Sequence, residues 1–209
     1  MVTHYNRIAG RSLERLAALS DGVFAVAMTL LVLDLHAPAA EVVHGELDLW
    51  QALAQLGPRL LVYLMSFLTL GIFWIGQQTQ LNHVARGDVH LAWINLGFLF
   101  GVSLMPFSTA LMAGFLLYRV ALIVYWLNVL FVGAMLFASW RYASRAQLIR
   151  EDTPADIGRS VERRIVIAQS LYAFGALLSI IDTRWSIGFI VLVQLNYAIA
   201  PRLGILARI

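Results

Sequence analysis

Six long apolar segments, separated by polar connections, constrain the fold of this chain more than any other feature of its sequence. A bilayer core of about 30 Å is crossed by a helix of roughly 20 apolar residues, and these segments are close to that length. Only 13% of the residues are charged and 60% are apolar, whereas a soluble domain has about 25% charged residues. We therefore predict an all-α integral membrane protein with six transmembrane helices, at residues 19–35, 60–78, 91–112, 115–140, 165–181 and 186–200.

The arginines are distributed unevenly between the two ends of these predicted helices. Six spans place both chain ends on one side of the membrane, and twelve of the fifteen arginines fall on that side. Cytoplasmic loops of membrane proteins are enriched in Arg and Lys, so both termini are predicted to be cytoplasmic. The chain then forms one transmembrane domain over residues 1–209, with a cytoplasmic lead at 1–18 and a cytoplasmic loop at 141–164.

The first span carries a narrow apolar stripe. At 100° per residue, Val26, Thr29, Leu30 and Leu33 lie at about 0°, −60°, +40° and −20° around the helix. The stripe is compatible with ordinary helix packing, which is the commoner use of such periodicity, and it is also compatible with the lining of a pore. Periodicity alone does not choose between the two.

Polar residues lie on the other side of the same helix. Ser20 is predicted near +120° and Asp21 near −140°. An unpaired carboxylate in hydrocarbon is costly, so one interpretation is a hydrogen-bonded network with neighbouring helices. Gln77, Gln78 and Asn95, polar residues at the second and third spans, are available as partners, since such groups usually join helices together. The alternative is that Ser20 and Asp21 simply cap the first helix.

Several other classes of function find no support in the residues. The chain has no cysteine, which excludes disulfides and thiolate chemistry. Its histidines lack the paired spacing of a metal site, and no nucleophile elbow is present. The basic loops of a membrane protein account for the net charge of +3. We therefore predict no enzymatic activity, no cofactor, no metal site and no nucleic-acid partner.

The motif Arg15-x-x-x-Leu19-Ser20-Asp21 resembles the Arg-x-x-x-Phe-Ser-Asp signature of the lysosomal potassium-channel family and its bacterial homologues. Further family landmarks are matched in the second and third spans, at Trp74, Asn95 and Pro106-Phe107. Bacterial members have one six-helix repeat and assemble as tetramers, and this chain contains one repeat. In that family the first helices surround a pore that has apolar constrictions and no carbonyl filter.

The resemblance implies a function and a set of site residues. The function is a homotetrameric, potassium-selective cation channel of the bacterial plasma membrane, whose partners are potassium ions, other copies of the chain and the lipid bilayer. A small ion-coupled secondary transporter, with Asp21 or Asp34 as the coupling carboxylate, is the alternative. The implied site residues are pore constrictions at Val26, Leu30 and Leu33, a pore-lining hydroxyl at Thr29, and an interhelical network of Arg15, Ser20, Asp21, Trp74, Gln77 and Asn95.

Three positions depart from the family pattern. Leu19 replaces the usual Phe, which keeps an apolar side chain but loses the ring. Gln77 replaces a His found in many members three residues after the Trp; an amide can donate and accept hydrogen bonds but cannot titrate. Val26 is smaller than the usual Ile or Leu, so the narrowest ring is expected either at Val26 or at Leu30.

Overall fold

The computed structural model describes residues 12–40 and 43–199, and this part of the chain is all-α, as predicted, with no β-strand. A 3₁₀ turn at Val32–Asp34 follows the first helix. The helices are α1 (Leu13–Leu31), α2 (Glu46–Gln55), α3 (Gly57–His83), α4 (Val89–Ser103), α5 (Met105–Gly114), α6 (Arg119–Arg145), α7 (Ala155–Leu178) and α8 (Thr183–Ile199).

Four segments of the described residues are long and apolar enough to cross a bilayer, namely Leu13–Asp34, Gly57–His83, Val89–Gly114 and Arg119–Arg145. They correspond to the first four predicted spans. Helix α7 begins within residues 141–164, the Arg-rich segment that was predicted as a cytoplasmic loop. Helix α8 has 17 described residues, a length of about 25 Å at 1.5 Å per residue. The fifth and sixth spans therefore stay predictions.

The first helix begins at Leu13 rather than at Leu19, because Ser12 provides its N-cap. The Ser12 hydroxyl accepts a hydrogen bond from the backbone N–H of Arg15 at 3.3 Å, which satisfies one of the free amides of the first turn. Residues 13–18, predicted as part of the cytoplasmic lead, are thus the first turns of α1. Ser20 and Asp21 lie well inside the helix, so the capping interpretation of this pair is wrong.

The helix of the third predicted span is interrupted in the middle. Leu104 separates α4 from α5, and Pro106 lies in the first turn of α5. Proline has no N–H to donate to the carbonyl four residues earlier, so the regular helix is interrupted at this point. The two helices together form the single membrane-length segment Val89–Gly114.

Helix α3 lies at the centre of the bundle and packs against α1, α5, α6 and α8. Between α1, α3 and α4, the rings of Phe24 and Phe73 lie on either side of Phe98, with centroid distances of 5.8 and 6.4 Å. These three side chains are buried. One side of α1 is therefore packed into the core of its own protomer.

The connection after α6 pairs with the turn between α3 and α4. The backbone N–H of Ala85 donates to the Leu148 carbonyl at 2.8 Å, and the N–H of Arg150 donates to the His83 carbonyl at 2.9 Å. Val84 and Leu148 belong to a second small apolar core beside these bonds. This core closes the end of the bundle that carries the Arg-rich segment 141–164.

Close contact between α4 and α6 gives a test of the packing. A Cβ atom added at Gly101 would lie 2.7 Å from Val132 Cγ2 and 2.8 Å from Phe131 Cδ1. We expect Gly101→Ala to destabilise the protein by about 1–3 kcal/mol through overpacking. The measurement is the melting temperature of the detergent-purified chain. Gly71→Ala is the control, since nothing lies within 4 Å of its added Cβ, and the gain in helix propensity, about 1 kcal/mol, should leave that variant at least as stable. Equal melting of the two variants would contradict the described contact.

Candidate functional site

The two faces of α1 differ sharply in exposure within the protomer. Val26 and Leu30 of α1 are 57% and 43% exposed, Thr29 is also exposed, and Leu33, in the 3₁₀ turn that follows α1, is 65% exposed. On the opposite face Phe24, Ala27 and Leu31 are at most 2% exposed. The stripe predicted from helical periodicity is therefore the side of α1 that the protomer leaves uncovered.

A buried hydrogen-bonded chain joins α1, α3 and α4 behind this stripe. The Gln77 amide nitrogen donates to Ser20 Oγ at 2.9 Å and to Asn95 Oδ1 at 2.7 Å. Ser20 Oγ in turn donates to the Leu16 carbonyl at 2.9 Å. All three side chains are buried. One amide group thus uses both of its protons to link the first three predicted spans.

A second, exposed junction lies one residue further along α1. Asp21 Oδ1 accepts a hydrogen bond from the Trp74 indole N–H and another from the Gln78 amide, each at 2.8 Å. Hydrogen bonds to an ionised acceptor are the stronger kind. Gln78 lies outside the implied network residues, and it joins α3 to α1 together with Trp74 and Gln77.

Arg15 stands apart from both junctions. It lies at about −20° on the α1 wheel, the same position as Leu33 and on the outward face. Its backbone N–H donates to Ser12 Oγ. Its guanidinium makes no hydrogen bond or ion pair with residues 12–40 or 43–199 of the same protomer. A role for Arg15 in the interhelical network stays a prediction.

Thr29 places an oxygen atom beside the apolar stripe. Its hydroxyl lies 3.0 Å from the Ala25 carbonyl and 2.9 Å from the Val26 carbonyl, as donor. A hydroxyl that donates to its own helix keeps oxygen lone pairs free on its outer side. The exposed face of α1 therefore offers one hydroxyl acceptor among apolar groups.

A small cavity adjoins the buried junction on the α6 side. Gln77 Oε1 and Gln80 Nε2 have no hydrogen-bond partner among the described residues. Both residues line a cavity of about 10 Å³ together with Ser139 and Trp140. A polar cavity of this size admits one water molecule.

A second buried polar cluster, missed by the sequence analysis, joins α3 to α6 and α8. Thr69 Oγ1 lies 3.1 Å from Tyr125 OH and accepts a hydrogen bond from Gln194 Nε2 at 2.7 Å. Nearby, Thr109 Oγ1 lies 2.7 Å from Ser66 Oγ. Hydroxyl residues are common in apolar helices because they can bond their own backbone, so they carry little signal. Gln194, an amide in the last apolar segment, is the residue that could have revealed the cluster.

Comparison with known proteins identifies the family to which this chain is similar. A family model described as endosomal/lysosomal potassium channel TMEM175 matches residues 15–106. A potassium channel of Streptomyces collinus is 37% identical over 148 residues, which is 68% of this chain and 70% of that protein. A potassium channel of Chamaesiphon minutus is 30% identical over 189 residues, covering 88% of this chain and 93% of that protein.

The fold gives the same assignment as these sequences. The crystal structure of a lysosomal potassium-selective channel TMEM175 homologue from Chamaesiphon minutus superposes with a TM-score of 0.79 at 28% identity. The match covers 91% of this chain and 98% of that one. The family model begins at Arg15, the first residue of the α1 motif. From these matches in sequence and fold, this chain is a multi-pass membrane protein that belongs to the TMEM175 channel family.

Proposed function

We propose that this chain is a potassium-selective cation channel of the bacterial plasma membrane, with its pore lined by α1. The observation that carries the proposal is the uncovered stripe of Val26, Thr29 and Leu30 on α1 and Leu33 in the 3₁₀ turn that follows it. The names of the relatives support potassium as the ion.

Several copies of α1 are needed to enclose a pore, because one helix contributes only a narrow stripe to its wall. We propose a homotetramer with four α1 helices around a central axis. The rear of each helix would be held to α3 and α4 by the Ser20–Gln77–Asn95 chain and the Asp21–Trp74 junction. Arg15 is proposed to contribute to the same network.

The proposed selectivity mechanism uses a hydrophobic constriction in place of carbonyl oxygens. Rings of Val26, Leu30 and Leu33 offer an ion no oxygen, so it must shed part of its hydration shell to pass. Potassium is less strongly hydrated than sodium and would lose less. Thr29 would supply hydroxyl oxygens between the rings. Closing would occur by dewetting of the narrowest ring.

The proposed orientation places both termini in the cytoplasm, since twelve of the fifteen arginines are then inside. Asp34, in the 3₁₀ turn after α1, would lie near the outer end of the pore. A carboxylate there raises the local cation concentration.

An ion-coupled transporter would use Asp21 or Asp34 as a carboxylate that binds and releases the coupling ion. Asp21 Oδ1 already accepts two hydrogen bonds from α3, which is the arrangement of a helix junction. The relatives are named as channels. Both observations favour the channel.

Polar substitution in the stripe tests the hydrophobic constriction. Leu30→Asn or Leu33→Asn supplies polar atoms and keeps the constriction wet. Single-channel potassium conductance should rise, roughly tenfold for a barrier lowered by about 1.4 kcal/mol, and discrimination against sodium should fall. The measurement is planar-bilayer recording under a potassium/sodium gradient. Ile123→Asn on α6 is the control, because Ile123 is 43% exposed, as Leu30 is. Unchanged conductance and selectivity in both stripe variants would mean that the stripe is packing surface.

Two variants of Asp21 test its proposed role as a junction behind the pore. Asp21→Ala removes the acceptor of the Trp74 and Gln78 hydrogen bonds, so the oligomer should dissociate or melt at lower temperature. Asp21→Asn retains a carbonyl oxygen for both donors and should stay closer to the unsubstituted protein. Size-exclusion chromatography and thermal melting in mild detergent measure these effects. If Asp21→Ala left the oligomer fully stable and abolished potassium selectivity, Asp21 would face the ions instead.

The tetramer itself is tested by mass. Native mass spectrometry of the detergent-purified chain should give a species of four times the 23.3 kDa of one chain. A monomer under conditions that preserve potassium flux would contradict the assembly, because one α1 stripe cannot enclose a pore.

A further inference from the structure

A groove of about 310 Å³ separates α6 from α7 on the outer surface of the protomer. Its walls are apolar apart from one amide and one hydroxyl. Its lining includes Gly133, Ala134 and Phe137 of α6, and Val166, Gln169 and Ala173 of α7.

The groove exists because small side chains on the two helices leave space between them. Gly133 and Ala134 present no bulk on α6, and the Gln169 side chain lies directly on Gly133, where an added Cβ would collide with its amide. The Gln169 amide nitrogen lies 3.5 Å from the Val129 carbonyl as donor. Gln169 Oε1 has no partner among the described residues, so the groove contains one buried acceptor.

Positive charge is concentrated at the end of the groove nearest the Arg-rich segment. The α6 side continues from Phe137 to Arg141, whose guanidinium carbon lies 5.6 Å from the Phe137 ring centroid. On α7, Arg159 and Arg163 come before the groove residues in the chain. Around the helix axis they lie at about +20° and +60° from Val166, which lines the groove. Two acids lie on the same side of α7, Glu162 near −40° and Asp156 near +80° in the first turn. Three exposed arginines therefore outnumber the two carboxylates, of which Glu162 is half-buried.

We propose that this groove binds one anionic phospholipid, with an acyl chain between α6 and α7 and the phosphate at Arg141 and Arg163. On its α6 side the groove runs along a helix that is long and apolar enough to cross a membrane. The part of a ligand that lies against this helix is therefore hydrocarbon. Basic clusters at the cytoplasmic end of membrane helices attract anionic headgroups. The apolar walls select an acyl chain, and the arginines select a negative headgroup.

Lipid titration of the purified full chain, followed by native mass spectrometry, tests this site. Phosphatidylglycerol and phosphatidylcholine with identical acyl chains are the two probes, and phosphatidylglycerol should bind more tightly. Arg141→Gln and Arg163→Gln should each weaken phosphatidylglycerol binding about fivefold, since an arginine near an anionic membrane surface contributes about 1 kcal/mol. Neither should change phosphatidylcholine binding. Arg59→Gln, at the opposite end of the bundle, is the charge control and should change neither lipid.

A second variant tests the groove independently of charge. Ala134→Trp should fill it and weaken the binding of both lipids, whereas Val120→Trp, an exposed position at the other end of α6, should not. Three results would overturn the proposal. The first is equal binding of the two lipids. The second is that glycerol phosphate alone competes for the site as strongly as the whole lipid does. The third is a change in oligomeric mass in Ala134→Trp, which would make the groove a contact between copies.

Discussion

Polar groups inside a bilayer must find their partners within the protein, and this constraint decides which side of α1 faces outward. Ser20 can satisfy its own proton on the Leu16 carbonyl, but the Gln77 amide nitrogen cannot be left in hydrocarbon without partners, and it donates to Ser20 and Asn95. The three side chains fix the rotation of α1 about its own axis. Once that rotation is fixed, Phe24, Ala27 and Leu31 are buried and the Val26–Leu33 stripe is not.

The same constraint explains why the proposed pore can be built from apolar side chains. A helix satisfies its own backbone, so α1 has no free carbonyls to offer an ion. Selectivity in such a pore must come from the energetic cost of dehydration and from a few side-chain oxygens. Thr29, with its proton held by its own helix, is the residue on the stripe that supplies them. Precise placement of the rings then depends on the hydrogen bonds behind them.

Periodicity and apolar length were enough to predict the helices and the outward stripe, because both follow from local sequence. The first helix begins six residues before the predicted span because Ser12 caps it. Pro106 interrupts the helix of the third span at Leu104, but that span stays one membrane-length segment. Tertiary partners could not be read in the same way. Gln78 joins the network and Arg15 makes no bond to it within the described protomer, and which amide reaches which helix depends on the packing angle. The partners in the Thr69–Tyr125–Gln194 cluster could not be read for the same reason, although the amide of Gln194 in the last apolar segment was a signal for a polar contact.

The most direct test of the central claim uses the absence of cysteine from this chain. Leu33→Cys and Leu192→Cys each introduce a single thiol, in the 3₁₀ turn after α1 and on α8, at positions that are both 65% exposed in the protomer. A water-soluble, positively charged thiol reagent is applied during bilayer recording of potassium current. A pore lined by α1 predicts that the reagent blocks current through Leu33→Cys and leaves Leu192→Cys unchanged. Uninterrupted current through Leu33→Cys, with its thiol shown to be modified, would contradict the account.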